Sequence, residues 1–219
     1  MPEPVHPYKL VSLLLQYPEP ETLTELSGFD PARLSPATTA QREALGRFLD
    51  WYRSNDLDAL RQSYVDNFDF DRRHSLHLTY QVHGDSRQRG LALLKIKNAY
   101  RDAGLDPDAT ELPDFLPLML EFAALVPGSA GTDLLDRHRE SIELIRAGLA
   151  RDDEAPWVEL FDVIRDGLPG LSRRQINRIR RLAAEGPPTE QVGMEPFAPP
   201  EVMPNQPGEV PLPLIGGRK

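Results

Sequence analysis

The sequence predicts an all-α fold: one bundle of about eight helices within residues 1–185, followed by a disordered, proline-rich tail over residues 186–219. Apolar residues recur at helical spacing through the body, and helix starts are punctuated by capping side chains and prolines. The pattern then stops at a shift in composition. Nine of the 22 prolines lie between Pro187 and Pro213, interspersed with Gly193 and Gly208, and no period of 3.6 or 2 survives there.

Within the body, Asp30-Pro31 and Ser35-Pro36 each place a capping residue before a proline at a first helical position. Leu45, Phe48, Leu49 and Tyr52 then mark one helix face. Asp56 caps the next helix, whose face is Leu57, Leu60, Tyr64 and Phe68. Asp85 with Gln88 reads as a capping box opening a helix through Leu94 and Tyr100 that Gly104 closes. Leu112 to Val126 is apolar nearly all round, as a central buried helix would be. Leu135, His138, Ile142, Ile145 and Leu149 form a seam, Trp157, Leu160, Phe161 and Ile164 a short helix, and Ser172 with Gln175 caps a last one. One segment disagrees: from Ser75 to Gly84, apolar Leu76, Leu78, Tyr80 and Val82 alternate with polar residues as in a strand. With no second such run to pair with, packing is expected to turn it into helix or extended linker.

The 219 residues include no cysteine, 34 Asp and Glu against 25 Lys and Arg, and a formal charge of −9. Disulfides, thiolate metal sites and thiol nucleophiles are therefore excluded. An acidic balance argues against a nucleic-acid coat and favours a basic partner or simple solubility. No apolar run approaches the roughly 20 residues of a membrane helix, and no secretory leader pattern is present, so a cytoplasmic protein without stable membrane insertion is expected.

No nucleophile elbow, zinc-protease or dinucleotide motif occurs. Gly128 to Thr132 lacks the lysine of a phosphate loop and reads as a plain helix start. His74, His77 and His83 are the metal candidates, but a closed site wants further donors; hydrogen-bonding or surface roles are expected, with no metal and no cofactor. Asp66, Asp69 and Asp71 interleave with Phe68 and Phe70, either as a solvated corner or as an acidic, aromatic rim for a basic peptide. Arg173, Arg174, Arg178, Arg180 and Arg181 alternate with Leu171, Ile176, Ile179 and Leu182. A solvated face is the plain reading of that helix, and an interaction module for anionic surfaces through Arg173 to Arg181 is the alternative function.

A family resemblance rests on ordered blocks: Tyr64-Val65-Asp66-Asn67-Phe68-Asp69-Phe70, His77-Leu78-Thr79-Tyr80, Gly84-Asp85-Ser86-Arg87-Gln88-Arg89-Gly90, and Glu111-Leu112-Pro113-Asp114-Phe115-Leu116-Pro117 running into Leu120-Glu121-Phe122. The chain resembles the NarJ family, the assembly chaperones of respiratory nitrate reductase, within the redox-enzyme maturation chaperones that include TorD and DmsD. The opening Tyr8 to Pro18 is similar to that family's first helix.

The resemblance implies a non-enzymatic, all-helical cytoplasmic chaperone, expected as a monomer although some relatives swap helices into dimers. Its partner would be the apo catalytic (alpha) subunit of nitrate reductase, held by a basic amphipathic N-terminal segment until molybdenum cofactor insertion and membrane docking. Such a segment can enter an apolar groove as a helix, steered by acidic residues. Asp69, Asp71, Asp114 and Glu121 are the expected peptide-binding rim, and Phe68, Phe70, Leu112 and Phe115 the expected groove walls. Arg87 and Arg89 are expected to tie helices together through carboxylates such as Asp114. Gly84, Asp85, Gly90, Pro113 and Pro117 complete the structural motif.

Overall fold

A computed structural model of the chain describes residues 3–70, 72–106, 110–151 and 155–185. Among these residues the fold is all-α, as predicted, with eleven α-helices, short 3-10 and π turns, and two isolated β-bridges. The expected tail of residues 186–219 lies outside the described residues.

Local chemistry accounts for most of the boundaries. In α1 (Pro7–Leu14), proline takes the first position and the His6 ring accepts from the Tyr8 N–H at 3.1 Å. The segment Pro20–Leu26 forms α2, again with a leading proline, a helix for which the sequence reading makes no expectation. Asp30 does cap Pro31–Arg33, but only as a single 3-10 turn. Ser35-Pro36 starts no helix: the Ser35 N–H is spent on the Val5 carbonyl at 3.0 Å, and α3 (Thr39–Ser54) begins at a full capping box between Thr38 and Gln41. Asp56 caps α4 (Leu57–Tyr64), which runs into a π turn over Val65–Asp69.

The alternating stretch resolves into both of its expected outcomes. Leu76 to Leu78 is extended and pairs with the segment before α7, through Leu78 N–H to Asp114 O at 3.0 Å and Leu116 N–H to Leu76 O at 2.9 Å. Beyond it the chain coils into α5 (Leu78–His83), which buries polar Thr79 and Gln81. Gln81 donates to the carbonyls of Arg72, Arg73 and Ser75, so its burial leaves no amide unsatisfied. Gly84, at φ +54°, ends α5 in a conformation that glycine adopts without a Cβ penalty. Ser86, not Asp85, is the residue capping α6 (Arg87–Asp102), and it does so without a side-chain bond. Gly104 closes that helix as expected: its N–H reaches Arg101 O at 2.9 Å while the Leu105 N–H reaches Tyr100 O at 3.0 Å.

The apolar segment yields α7 (Leu116–Leu125), shorter than expected because Leu112 to Phe115 forms a turn. The predicted seam divides at His138 into α8 (Ala130–Arg137) and α9 (Arg139–Leu149), with Leu135, Ile142, Ile145 and Leu149 fully buried on both sides of the break. Last come α10 (Val158–Asp166) and α11 (Arg173–Glu185), the latter opened by the Ser172–Gln175 box.

Helices α1 and α3 both pack on α10, α1 also on α7, and α7 on α8; α9 touches α5, α10 and α11. Buried Trp157 is the hub of the interior, with the rings of Phe48, Trp51, Tyr64 and Phe68 at 5.2–5.7 Å from it. Tilted and edge-on contacts of this kind add to the burial of these large rings.

Candidate functional site

Asp114 sits in the turn before α7 with 0% exposure, and is thus an interior tie and not a rim residue. Its Oδ2 accepts from the Thr79 N–H at 3.0 Å and from the Thr79 hydroxyl at 2.5 Å, capping α5 from another part of the chain. His77 Nδ1 lies 3.4 Å from Oδ1, a contact aligned too poorly to satisfy that oxygen fully. The Arg89 guanidinium stands 4.0 Å from Oδ2, donates to the Thr79 hydroxyl at 3.3 Å and lies over the Tyr80 ring. Burial pushes the Asp114 carboxyl up, but His77 and Thr79 outweigh it and hold the group below the usual carboxylate range. Arg89 thus stands beside Asp114 and reaches it chiefly through the Thr79 hydroxyl. Arg87 takes no part in this contact, standing exposed in the first turn of α6.

Of the other motif residues, the two prolines fasten the frame. The Pro113 carbonyl accepts from the Tyr100 hydroxyl at 2.8 Å, and that of Pro117 accepts from Ser12 Oγ at 2.7 Å, fastening α1 to α7. Asp85 pairs with Arg89 at 3.8 Å, and Gly90 lies exposed on α6.

The residues expected to form one groove fall into separate places. Phe68 is buried against Tyr64 and Trp157, so it belongs to the core and not to a groove wall. Phe115 is half-buried with its ring 5.3 Å from that of His77. Glu121, on α7, pairs with Lys9 of α1 beside a cavity of about 410 Å³ lined by Leu10, Leu13, Leu26 and Phe29. Asp71 lies outside the described residues. Phe70, 77% exposed, and Leu112, 42% exposed, do face solvent as expected of a binding surface.

Tyr64 links the pieces that remain. Burial pushes its phenol up, and the Asp69 and Glu111 carboxylates add to the shift. Its ring meets Tyr17 edge-on at 5.6 Å, and Tyr17 is itself 43% exposed with Arg61 over its other side. Tyr17 meets the Tyr64 ring, Asp69 and Glu111 act on its phenol through their charge, and exposed Phe70 and Leu112 follow those two acids in the chain. Sequence reasoning had assigned no role to Tyr17 or Glu111; the signal available was their place beside Pro18 and Leu112 in the quoted blocks.

The remaining candidates have other employment. His74 contacts the Asn67 carbonyl at 3.0 Å, and no cluster of three metal-ligating side chains occurs among the described residues. A cavity of about 720 Å³ between α3, α10 and α11 has mixed charge, but Arg47 is paired with Glu159, Asp162 with Arg146 and Arg139 with Glu143. On α11, Arg178 binds Glu140 at 2.8 Å, while Leu182 is buried and Ile176 half-buried as α11 packs on α9. The apolar stripe that a lipid surface would take is already used by the body.

The fold and these residues define an all-helical protein that exposes Tyr17, Phe70 and Leu112 to water. The chain belongs to the nitrate reductase delta subunit family, whose sequence profile matches residues 32–162. It is 32% identical over 168 residues to the probable nitrate reductase molybdenum cofactor assembly chaperone NarJ of Bacillus subtilis, covering 77% of this chain and 91% of that one. Identity to the nitrate reductase molybdenum cofactor assembly chaperone NarJ of Escherichia coli is 35% over 158 residues, 71% of this chain and 66% of that one. A Mycobacterium tuberculosis relative, the nitrate reductase-like protein NarX, is 37% identical over 135 residues, 62% of this chain and 20% of its own length. No described helix is long and apolar enough to cross a membrane.

Proposed function

We propose that this protein is a cytoplasmic, non-enzymatic assembly chaperone for respiratory nitrate reductase. It holds the N-terminal segment of the apo catalytic subunit while the molybdenum cofactor is inserted, then leaves the finished enzyme. Family membership and the names of the relatives support the client; the observation that carries the binding mode is the surface around Tyr64. Tyr17, Phe70 and Leu112 stand open to water, and the carboxylates Asp69 and Glu111 immediately precede the last two in the chain. A basic amphipathic helix matches that arrangement: its apolar anchors bury against the rings and leucine, and its cations approach the acids. The anchors supply most of the affinity, and the acids set the encounter rate and register.

Calorimetry with a synthetic N-terminal peptide of the cognate catalytic subunit tests this reading. Binding is expected to tolerate salt and to weaken by about tenfold or more in Phe70→Ala combined with Leu112→Ala, the usual cost of losing central anchors. Failure to bind both that peptide and the full apo-subunit rejects the reading.

A further inference from the structure

A third cavity, of about 200 Å³, opens between α5, the α8–α9 junction and α11. Four of its lining side chains are basic (His83, Arg137, His138 and Arg178), against the single carboxylate of Glu140. We propose that this cavity binds a compact phosphate-class oxyanion, as free phosphate or as the phosphate monoester end of a small molecule.

The partners already present favour an incoming anion over a neutral guest. Both hydroxyls in the lining are committed, Ser141 to the Leu78 carbonyl at 2.7 Å and Thr79 to buried Asp114. Glu140 occupies the Nε of Arg178 at 2.8 Å, and the same guanidinium carries two further amino groups. His138 Nδ1 faces the Leu134 carbonyl at 3.0 Å; a carbonyl only accepts, so Nδ1 carries the proton and Nε2 is the ring's remaining contact. With both imidazoles neutral, Arg137, Arg178 and Glu140 leave one net positive charge in the lining, and planar guanidinium donors match phosphate oxygens. Volume sets the size of the guest. Small-molecule pockets run from about 300 to 1,000 Å³, so this one takes a single charged group and leaves any larger body outside.

The surrounding charges also make binding proton-linked. Burial pushes the His83 imidazole down, with Arg178 of α11 and Lys95 of α6 adding to the effect. Burial likewise pushes His138 down; its Leu134 bond and Asp114 oppose this, and Arg137 and His83 reinforce it. An anion among these groups restores the charged imidazoles, so it binds together with protons.

Calorimetric titration of the full chain with inorganic phosphate and with phenyl phosphate, at about pH 6 and about pH 8, tests the assignment. Saturable binding that tightens by roughly tenfold at the lower pH is expected. It should weaken by roughly tenfold in Arg137→Gln, an exposed position, and in Arg178→Gln. Binding of both compounds identifies free phosphate as sufficient, and binding of phenyl phosphate alone identifies the ester end. No saturable binding of either compound at about pH 6 overturns the assignment, as does binding unchanged in both variants. The client-peptide titration is unaffected by Arg137→Gln, so the two readings fail separately.

Discussion

Asp114 satisfies two requirements at once: it ends the connection leading to α7 and it supplies the acceptor that α5 lacks at its own N-terminus. His77, the residue at the cap position, makes no side-chain capping bond, and the Thr79 N–H turns instead to the distant carboxylate. Removing the carboxylate leaves buried donors without a partner, at a cost of about 3 kcal/mol for charge-assisted bonds of this kind. Asp114→Ala is therefore expected to lower the urea midpoint by that equivalent, and an unchanged midpoint would refute the role. This position was the least legible in sequence. Acidic residues in proline-flanked turns are usually exposed, and nothing local announces that Thr79, 35 residues away, will cover this one. Phe68 and Phe70 illustrate the complementary case. The face through Leu60 and Tyr64 already placed Phe68 inside, and the π turn leaves Phe70 out in water.

Helix contacts depend as much on what is missing as on what is present. Gly131, in the first turn of α8, lies so close to Ala123 of α7 that an added Cβ would collide with the Ala123 backbone. Backbone cannot swing aside like a long side chain, so Gly131→Ala should cost about 1–3 kcal/mol by forcing α7 and α8 apart. Thermal unfolding measures this, and a gain in stability from the better helix propensity of alanine would contradict it. The glycine-rich run was read in sequence as a plain helix start; its role in packing was invisible because one-dimensional spacing carries no partner. Helix faces were read more successfully, since the periodicity of Leu45, Phe48, Leu49 and Tyr52 reports burial directly. Boundaries suffered where side chains were drawn elsewhere. Ser35 and Asp85 look like caps locally, but Thr38 and Ser86 hold those positions.

For the molecule as a whole, four groups among the described residues make stability depend on acid. His6, His83 and His138 are all pushed down, chiefly by burial, so the unfolded chain binds protons first as pH falls. Their contribution is complete above the ordinary imidazole value of about 6.5 and is lost as pH drops through the lower folded values. Asp114, held below the carboxylate range, adds a second loss below about pH 4. A melting temperature that falls in these two stages is expected from calorimetry; one that rises between about pH 6.5 and 5 would count against it. The all-α class and the family were legible because helical periodicity and motif order both survive in one dimension. The surface around Tyr64 was only half legible, since Asp69, Phe70 and Leu112 were named while Asp114 and Phe68 proved internal.

The chain has only two tryptophans, and both belong to the ring cluster centred on Trp157. Tyr64 touches that indole on one side and Tyr17 on the other. Intrinsic tryptophan fluorescence of this protein therefore samples a single neighbourhood, joined through the edge-on rings of Tyr64 and Tyr17 to solvent. A guest bound against Tyr17 is therefore expected to change the tryptophan emission, with no dye or label to be introduced.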